Sequence, residues 1–393
     1  MLFTNFVPPI AQIAVYSMKT GDRRDLVQGA YARYARSGHL IYVQAGTLMA
    51  VPFDAERLQL TGAPVPVVEN VFQAAGGAAQ YSISTTGTLV YVSGSAGAIQ
   101  RKLVWVTRNG MEQPLTAPPL AYGYPRLSPD GRRVAVELDN QIWLYDLSRD
   151  TLTRFTFEGR TNQSPGWTPD GKHIAFRSNT QGPSNLFWQL ADGSGGLERL
   201  TTSDRVQNLT SWSGDGQLLA FFEPGVATQR DIWVLRMNDR KVQSFLQTPF
   251  NEGGASFSPD GKWLAYVSNE SGRPEIYVQP YPGPGGKWQI STESGTEPLW
   301  NRNGRELLYR SGNKMMAVQV ETQPSFSASK PTMLFEREYA ASQFPATGIA
   351  YDVSSDGQRF LMVKEIEQSS AAGQINVVLN WFEELKRRVP TGK

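Results

Sequence analysis

The sequence contains no cysteine and only two histidines, His39 and His173, among 393 residues. Without cysteine the chain forms no disulfide, carries no thiol nucleophile and offers no cysteine ligand to a metal. Neither histidine has a neighbouring cluster of ligand-type residues, so we interpret both as packed side chains rather than as a general base or a metal ligand. The sequence therefore predicts no metal and no cofactor.

Excess charge of one sign and long apolar runs are absent as well. The chain has 38 basic and 36 acidic residues, and no basic run is interleaved with aromatic residues, so we expect no nucleic-acid partner. No stretch approaches the roughly 20 apolar residues that cross a bilayer, and the apolar N-terminal segment lacks a preceding basic region. We expect no membrane insertion by this chain and find no export signal in it.

A short phrase that ends in a turn residue and a glycine recurs eight times. Successive copies are 49, 44, 40, 45, 45, 43 and 53 residues apart. A period in the forties is typical of a β-propeller, because about 40–50 residues form one four-stranded blade with its turns. The eight glycines are Gly38, Gly87, Gly131, Gly171, Gly216, Gly261, Gly304 and Gly357.

Each copy of the phrase predicts a β-hairpin. An apolar residue stands four positions before the glycine, and a short polar residue that can bond the local backbone stands directly before it. The same aspartates could suggest calcium sites, but they occupy equivalent turns of separate blades and should lie far apart, so we predict a structural role and no metal. These turn residues are Asp130, Gly131, Asp170, Gly171, Asp215, Gly216, Asp260, Gly261, Asp356 and Gly357.

The fold class predicted from this repeat is all-β: one β-propeller of four-stranded antiparallel blades. Eight blades fit the repeat count, and seven blades with an accessory strand remain open. We expect a single domain over residues 1–393, with a partial first blade in 1–30, seven repeats in 31–350, and the last hairpin and closing strand in 351–393. Strands from both termini should share a blade, because this removes two free sheet edges.

Several strings carry a family resemblance. "SPDGRRVAV", "TPDGKHIAF" and the segment from "SPDGKWLAYVSNESGRPEIYV" onward resemble TolB-like, WD-repeat-like propeller modules. Together with "GTLMAVPFDAERLQLTGAPVPV", "FLQTPFNEG" and "NVVLNWFEELKRRVPTGK", the chain resembles the C-terminal propeller of bacterial receptor-like serine/threonine protein kinases. That resemblance implies a sensor propeller outside the cytoplasmic membrane, without the kinase and membrane span that accompany it in the family.

Sequence motifs for catalysis are missing. The chain has neither the glycine-rich loop, lysine and aspartates of a kinase nor the G-x-S-x-G elbow of a serine hydrolase that carries a propeller. We therefore predict no catalytic residues and a binding or sensor protein. Two alternatives stay open: an enzyme with its active site at the channel mouth, such as a propeller lactonase or lyase, and a TolB-like protein-interaction module.

Candidate ligand-binding residues lie in the loops expected on one face of the propeller, around its channel. Their mixed charges and amides suit a peptide, a protein or a polar small molecule. The tryptophans, by contrast, recur at equivalent strand positions and predict core. The candidate ligand-binding residues are Arg160, Asn162, Gln163, Arg205, Asn208, Asn251, Glu252, Arg273 and Glu297.

Overall fold

The computed structural model describes residues 2–7, 10–44, 46–69, 71–72, 78–93, 100–226, 228–323, 325–342, 348–366 and 374–391. The chain divides into two compact units. We call residues 1–99 with 367–393 the terminal unit, and residues 100–366 the central unit.

The terminal unit begins with ten strands. β1 to β3 form one antiparallel sheet, β4 to β7 form a second in which β8 also pairs with β6, and β9 pairs with β10. The strands are β1 (Leu2–Val7), β2 (Ile10–Tyr16), β3 (Arg23–Gln28), β4 (Ala30–Ala35), β5 (His39–Gln44), β6 (Thr47–Asp54), β7 (Gln59–Leu60), β8 (Val65–Val68), β9 (Tyr81–Ile83) and β10 (Leu89–Val92).

The central unit contains 25 strands in six antiparallel sheets among its described residues. They are β11 (Arg101–Thr107), β12 (Glu112–Pro114), β13 (Gly123–Leu127), β14 (Arg133–Leu138), β15 (Gln141–Asp146), β16 (Thr151–Arg154), β17 (Asn162–Trp167), β18 (His173–Ser178), β19 (Asn185–Leu190), β20 (Glu198–Arg199), β21 (Asn208–Trp212), β22 (Leu218–Pro224), β23 (Arg230–Arg236), β24 (Val242–Leu246), β25 (Glu252–Phe257), β26 (Trp263–Ser268), β27 (Glu275–Pro280), β28 (Trp288–Gln289), β29 (Thr296–Trp300), β30 (Glu306–Ser311), β31 (Lys314–Glu321), β32 (Ser327–Ala328), β33 (Thr332–Glu336), β34 (Tyr351–Val353) and β35 (Arg359–Glu365).

Two late elements complete the terminal unit. Strand β36 (Ile375–Val378) pairs antiparallel with β10, and helix α1 (Trp381–Arg388) follows it. Trp381 and Leu385 of the helix are buried in a core that includes strands β5 and β6. Among the described residues no helix has the length and apolar character needed to span a bilayer.

The recurring phrase folds as a closed turn between the first and second strands of each blade. In the first such turn of the central unit, Ser128 Oγ donates to Asp130 Oδ1 (2.5 Å) and accepts the backbone N–H of Arg133 (2.9 Å). Gly131 has φ 69°, in the left-handed region that costs glycine little. The apolar triplet after the turn is fully buried, and Ala135 at its centre allows close packing of adjacent sheets.

The six sheets of the central unit are blades of a propeller. Strands β34, β13, β17, β21, β25 and β29 line one channel, each as the first strand of its blade. A composite blade of order β12-β11-β35-β34 completes the set, because β11 pairs with β35 over seven residues, from Arg101↔Glu365 to Thr107↔Arg359. Two strands from the start of the unit thus share a sheet with two from its end, which removes free edges.

The propeller fold and the pairing of early with late strands confirm the sequence prediction, but the pairing partners differ in detail. The described strands form nine sheets, whereas eight blades were predicted from the repeat count. Strands β1 to β3 make a sheet of their own, and the late strands β35 and β36 pair with β11 and β10 instead of with residues before 30. The single domain over 1–393 stays a prediction.

Candidate functional site at the channel mouth of the central unit

A cavity of about 520 Å³ lies where the first strands of the central unit begin. Its walls come from the composite blade and from the three blades that start with β13, β17 and β21. We call this cavity the channel mouth. Its polar lining includes Glu137, Gln163, Arg177, Asn208 and Arg230.

Irregular first strands shape the channel mouth. The register of β13 shifts between Gly123 and Arg126, and that of β17 shifts between Gln163 and Gly166. Within these bulges Tyr124 (φ 47°) and Ser164 (φ 54°) adopt left-handed backbone conformations that non-glycine residues rarely take. A bulge redirects the side chains beside it, and such strain concentrates at functional sites.

Arg177 is the central cation of the channel mouth. Its two terminal nitrogens donate to the side-chain oxygens of Gln163 and Asn208, which come from β17 and from β21 of the next blade. Its Nε has no hydrogen-bond partner among the described residues. Two neutral oxygens therefore orient the guanidinium without neutralising its charge.

Glu137 is an acidic residue in the same cavity lining as Arg177, and its carboxylate already accepts hydrogen bonds from other groups. Gln163 Nε2 donates to Glu137 Oε1 at 2.7 Å, and the backbone N–H of Ser164 reaches Oε2 at 3.4 Å. Burial raises the pKa of Glu137 above its usual value, against these two bonds and the charge of Arg177. Burial likewise lowers the pKa of Arg177, while Glu137 opposes the shift. Both charges are held partly away from water.

Two further arginines line the channel mouth. Arg101 forms an ion pair with Glu365 (2.9 Å) and donates to the Tyr122 carbonyl (3.1 Å). The guanidinium carbon of Arg230 lies 5.6 Å from the centre of the Phe222 ring. With Arg101, Arg177 and Arg230 against Glu137 and Asp139, the lining carries one more positive than negative charge.

The opposite end of the channel is mostly apolar. A cavity of about 370 Å³ there is lined by the ends of the first strands and by prolines of the turns. Trp167 and Trp300 are buried, and their indole N–H groups donate to the carbonyls of Arg126 (3.1 Å) and Ser256 (3.0 Å) in neighbouring strands. These two side chains thus serve as core and as channel wall at once.

Of the nine candidate binding residues predicted from sequence, the structure brings Gln163 and Asn208 together at the channel mouth. Arg160 is exposed in the preceding loop. Asn162 is fully buried and donates to Gln141 Oε1 (2.9 Å) and to the Glu158 carbonyl (2.7 Å). Asn162 thus makes internal hydrogen bonds, and its contact with a ligand stays a prediction.

The remaining candidates lie elsewhere in the central unit. Arg205 pairs with Glu223 (3.7 Å) at a second cavity, and Arg273 pairs with Glu275 (2.7 Å). Glu252 and Glu297 are only 1% and 3% exposed, because each lies in a first strand rather than in a free loop. Asn251 lies just before β25, and no donor among the described residues forms a hydrogen bond with its Oδ1.

Arg177 and Glu137 were missed at the level of sequence. Each directly follows the apolar triplet of a second strand, in Val134–Val136 and Ile174–Phe176. A charged residue that ends a fully buried run is a usable signal, because such a strand reaches the channel mouth at that point. The histidines are packed: His39 Nε2 lies 2.6 Å from the Val389 carbonyl, and His173 stacks on Trp188 with ring centroids 4.1 Å apart.

No group of three or more His, Cys, Asp or Glu side chains that could hold a metal occurs within the part of the chain that the structure describes. The turn aspartates lie in separate blades, where each bonds its own turn, as Asp170 does with Thr168 and the N–H of Lys172.

Known proteins share this fold. Residues 87–229 match the family model for the TolB beta propeller domain, PD40. A TolB candidate protein from Agrobacterium tumefaciens is 16% identical, with 69% of this chain and 100% of that chain covered and a TM-score of 0.57. TolB from Acinetobacter baumannii is 16% identical (86% and 80% covered, TM-score 0.45), and a puromycin-hydrolysing peptidase from Mycobacterium tuberculosis is 13% identical (85% and 53%, 0.45). Residues 87–229 are thus similar to the TolB β-propeller domain, and the fold is that of a β-propeller.

Proposed function

We propose that this chain is a non-catalytic binding protein whose channel mouth takes the carboxylate of a peptide. The observation that carries the proposal is the state of Arg177, a half-buried guanidinium fixed by Gln163 and Asn208 and lacking a carboxylate within 4.0 Å among the described residues. A planar guanidinium is suited to two parallel hydrogen bonds with a carboxylate.

The surroundings of Arg177 support an anionic ligand over a cationic one. Arg230 and Arg101, the latter also paired with Glu365, line the same cavity, and of its two acidic side chains, Glu137 and Asp139, Glu137 already accepts two hydrogen bonds. Half-burial strengthens a charge-assisted hydrogen bond, which contributes roughly 1.5–3 kcal/mol.

The size and lining of the channel mouth support a peptide. A volume of about 520 Å³ lies in the range of small-molecule and short-peptide sites. Tyr124 offers an aromatic surface, and Asn140 adds an amide group of the kind that bonds peptide groups.

A finer proposal concerns the protein that contains this propeller. The strings "FLQTPFNEG" and "NVVLNWFEELKRRVPTGK" support a sensor propeller of a kinase-type receptor, in which peptide binding would be the signal. A TolB-like module that binds a folded partner is the alternative. A co-purified protein that binds in competition with free peptide would favour the second.

The experiment measures binding of fluorescent peptides by anisotropy. We expect acidic peptides with a free C-terminal carboxylate to bind, and Arg177→Gln to weaken binding by about tenfold to a hundredfold, the equivalent of one or two charge-assisted bonds. Arg132→Gln is the matched control, because Arg132 is exposed in a hairpin turn outside the cavity. Equal affinity of Arg177→Gln and the unchanged protein, at equal Tm, would refute the proposal.

A further inference from the structure

Polar side chains repeat at the junctions between blades of the central unit. At the junction between the β13–β16 and β17–β20 blades, Gln141 opens the third strand, β15. Its Oε1 accepts from Thr156 Oγ1 (2.8 Å) and from Asn162 Nδ2 of the next blade (2.9 Å). Thr156 Oγ1 in turn accepts the N–H of Ile142 (2.9 Å). The side-chain oxygens of Gln141 and Thr156 thus each have a donor, whereas Oδ1 of the neutral Asn162 has none among the described residues.

An acid can occupy the same place when donors surround it. Glu275 opens β27 as Gln141 opens β15, and it is completely buried. It accepts from Arg273 Nε (2.7 Å), from the N–H of Ser294 (3.1 Å) and from Ser291 Oγ. Its negative charge is compensated within the protein.

The junction between the β21–β24 and β25–β28 blades breaks this pattern. Asp231 precedes Ile232 as Gln141 precedes Ile142, and Glu252 pairs with Ser268 in register as Asn162 pairs with Ser178. The positions that hold a donor and an acceptor in the earlier junction therefore both carry acceptors here. A parallel bridge between Arg230 and Asn251 places the two backbones side by side.

The hydroxyl at the position that completes the other junctions is also missing, and the hydroxyl of Thr248, one residue further along, donates to Glu252 Oε1 instead. Gln247 follows β24 where Thr156 and Ser291 follow the fourth strands of their blades, and Ile232 lacks the hydroxyl contact that Ile142 has, among the described residues. Asp231 and Glu252 are each 1% exposed. Asp231 Oδ1 and Glu252 Oε2 nevertheless have no hydrogen-bond partner within the described part of the chain.

Two buried carboxylates at one junction, each with one oxygen that has no donor among the described residues, are unfavourable without a further positive charge. Burial raises the pKa of Glu252, the hydrogen bond from Thr248 opposes that shift, and the charge of Asp231 raises the pKa further. The neighbouring Glu223 lies opposite Asp231 in the sheet. It forms an ion pair with Arg205 (3.7 Å) and accepts a hydrogen bond from Gln207 (3.0 Å), so it acts as an acceptor and donates no hydrogen bond to Asp231.

We propose that this junction binds one hard divalent cation, with Ca²⁺ preferred, through the carboxylates of Asp231 and Glu252. Hard cations take oxygen ligands, and Ca²⁺ tolerates the irregular geometry of ligands that come from two blades, whereas Mg²⁺ demands an octahedron. Asp231 borders an open cavity of about 550 Å³ together with Thr228 and Gln247. Water can reach the cation through that cavity.

The test uses the full chain, stripped with EDTA and titrated with CaCl₂ by calorimetry. We expect one equivalent to bind and the Tm to rise by several degrees at saturating Ca²⁺, because the cation binds the folded state alone. Glu252→Gln should weaken binding by at least about tenfold. It should also raise the Tm of the cation-free protein, since the new amide can donate to Asp231 as Asn162 does to Gln141.

Two further variants sharpen the result. Asp231→Asn should also lose Ca²⁺ binding, which keeps the test valid if Glu252→Gln folds poorly. Asp204→Asn removes an exposed carboxylate from the rim of the same cavity and should bind Ca²⁺ unchanged. The proposal is overturned if the unchanged protein binds no Ca²⁺, if Mg²⁺ binds more tightly, or if Glu252→Gln binds Ca²⁺ as well as the unchanged protein does.

Discussion

The carboxylate of Glu297 accepts the backbone N–H of Ala350 at 2.8 Å, across 53 residues of sequence. Its other oxygen accepts the N–H of Ser342 at 2.9 Å, and Tyr351 Oη donates to the Glu297 carbonyl at 3.0 Å. Burial raises the pKa of Glu297, and the charges of Arg310 and Arg126 lower it in part. This single side chain links the β29–β33 blade to the segment that leads into the composite blade.

Replacing Glu297 should weaken that link. Glu297→Ala leaves two backbone N–H groups without their acceptor, and we expect the free energy of unfolding to fall by about 2–4 kcal/mol. Glu297→Gln keeps one acceptor oxygen and should lose less. Urea denaturation measures both, with exposed Glu293→Ala, from the segment just before β29, as control. A loss for Glu297→Ala no larger than for Glu293→Ala would contradict this assignment.

The ion pair between Arg108, which directly follows β11 of the composite blade, and Glu306 of β30 in the neighbouring blade should contribute strongly to stability. Arg108 Nη2 lies 2.6 Å from Glu306 Oε1, and the Glu306 side chain is 5% exposed. Burial alone would raise the pKa of Glu306, but Arg108, Asn301 and Gln319 together lower it. Arg108→Ala leaves this carboxylate buried and undercompensated, so we expect a loss of roughly 3 kcal/mol in the free energy of unfolding.

The matched control for Arg108 is an equally short but exposed pair. Arg240 Nη2 lies 2.7 Å from Glu198 Oε1, with both side chains more than one third exposed. Arg240→Ala should cost no more than about 1 kcal/mol, because water screens such pairs. Similar losses in the two variants would show that burial does not set the strength of the Arg108 pair.

Acid should destabilise the hairpin turns. In Asp130, Asp170, Asp215 and Asp356 the pKa is lowered first by the hydroxyl of a Ser or Thr two residues earlier and then by a backbone N–H. A lowered pKa contributes stability above the unfolded-state value of about 3.9, and this contribution is lost as the pH falls through the folded-state value.

Denaturation curves between pH 6 and pH 2 test the turns. The variant that carries Asn at all four positions should lose less stability on acidification than the unchanged protein, since Asn keeps the backbone contact and does not titrate. Glu137 and Glu297 act in the opposite sense, because burial raises the pKa of each and favours the protonated form. Parallel curves for the two proteins would contradict the role given to the turn carboxylates.

Much of the fold was predictable, because its signals are local. Gly131, with Asp130 before it and a buried Val-Ala-Val strand after it, specifies a hairpin without reference to the rest of the chain. The partner of β36 was not predictable in this way. Its four residues pair with β10 almost 300 positions earlier, and a short strand of apolar residues carries little information about its register.

The site was harder to predict for two physical reasons. Ser164 and Tyr124 have no glycine-like signature, although the bulges that they form shape the channel mouth. Glu252 and Glu297 stand in polar segments typical of solvated loops, yet neighbouring blades cover them. Polar residues at a blade junction and polar residues at a binding surface look alike until the blades are packed.

The hydrogen bond from the N–H of Ile366 to the carbonyl of Gln100, at 2.9 Å, brings the first and last residues of the central unit together. The polypeptide therefore enters and leaves this propeller at the same point. Residues 100–366 could therefore be made as a circular permutant, in which a short linker joins residue 366 to residue 100 and new termini open at another hairpin.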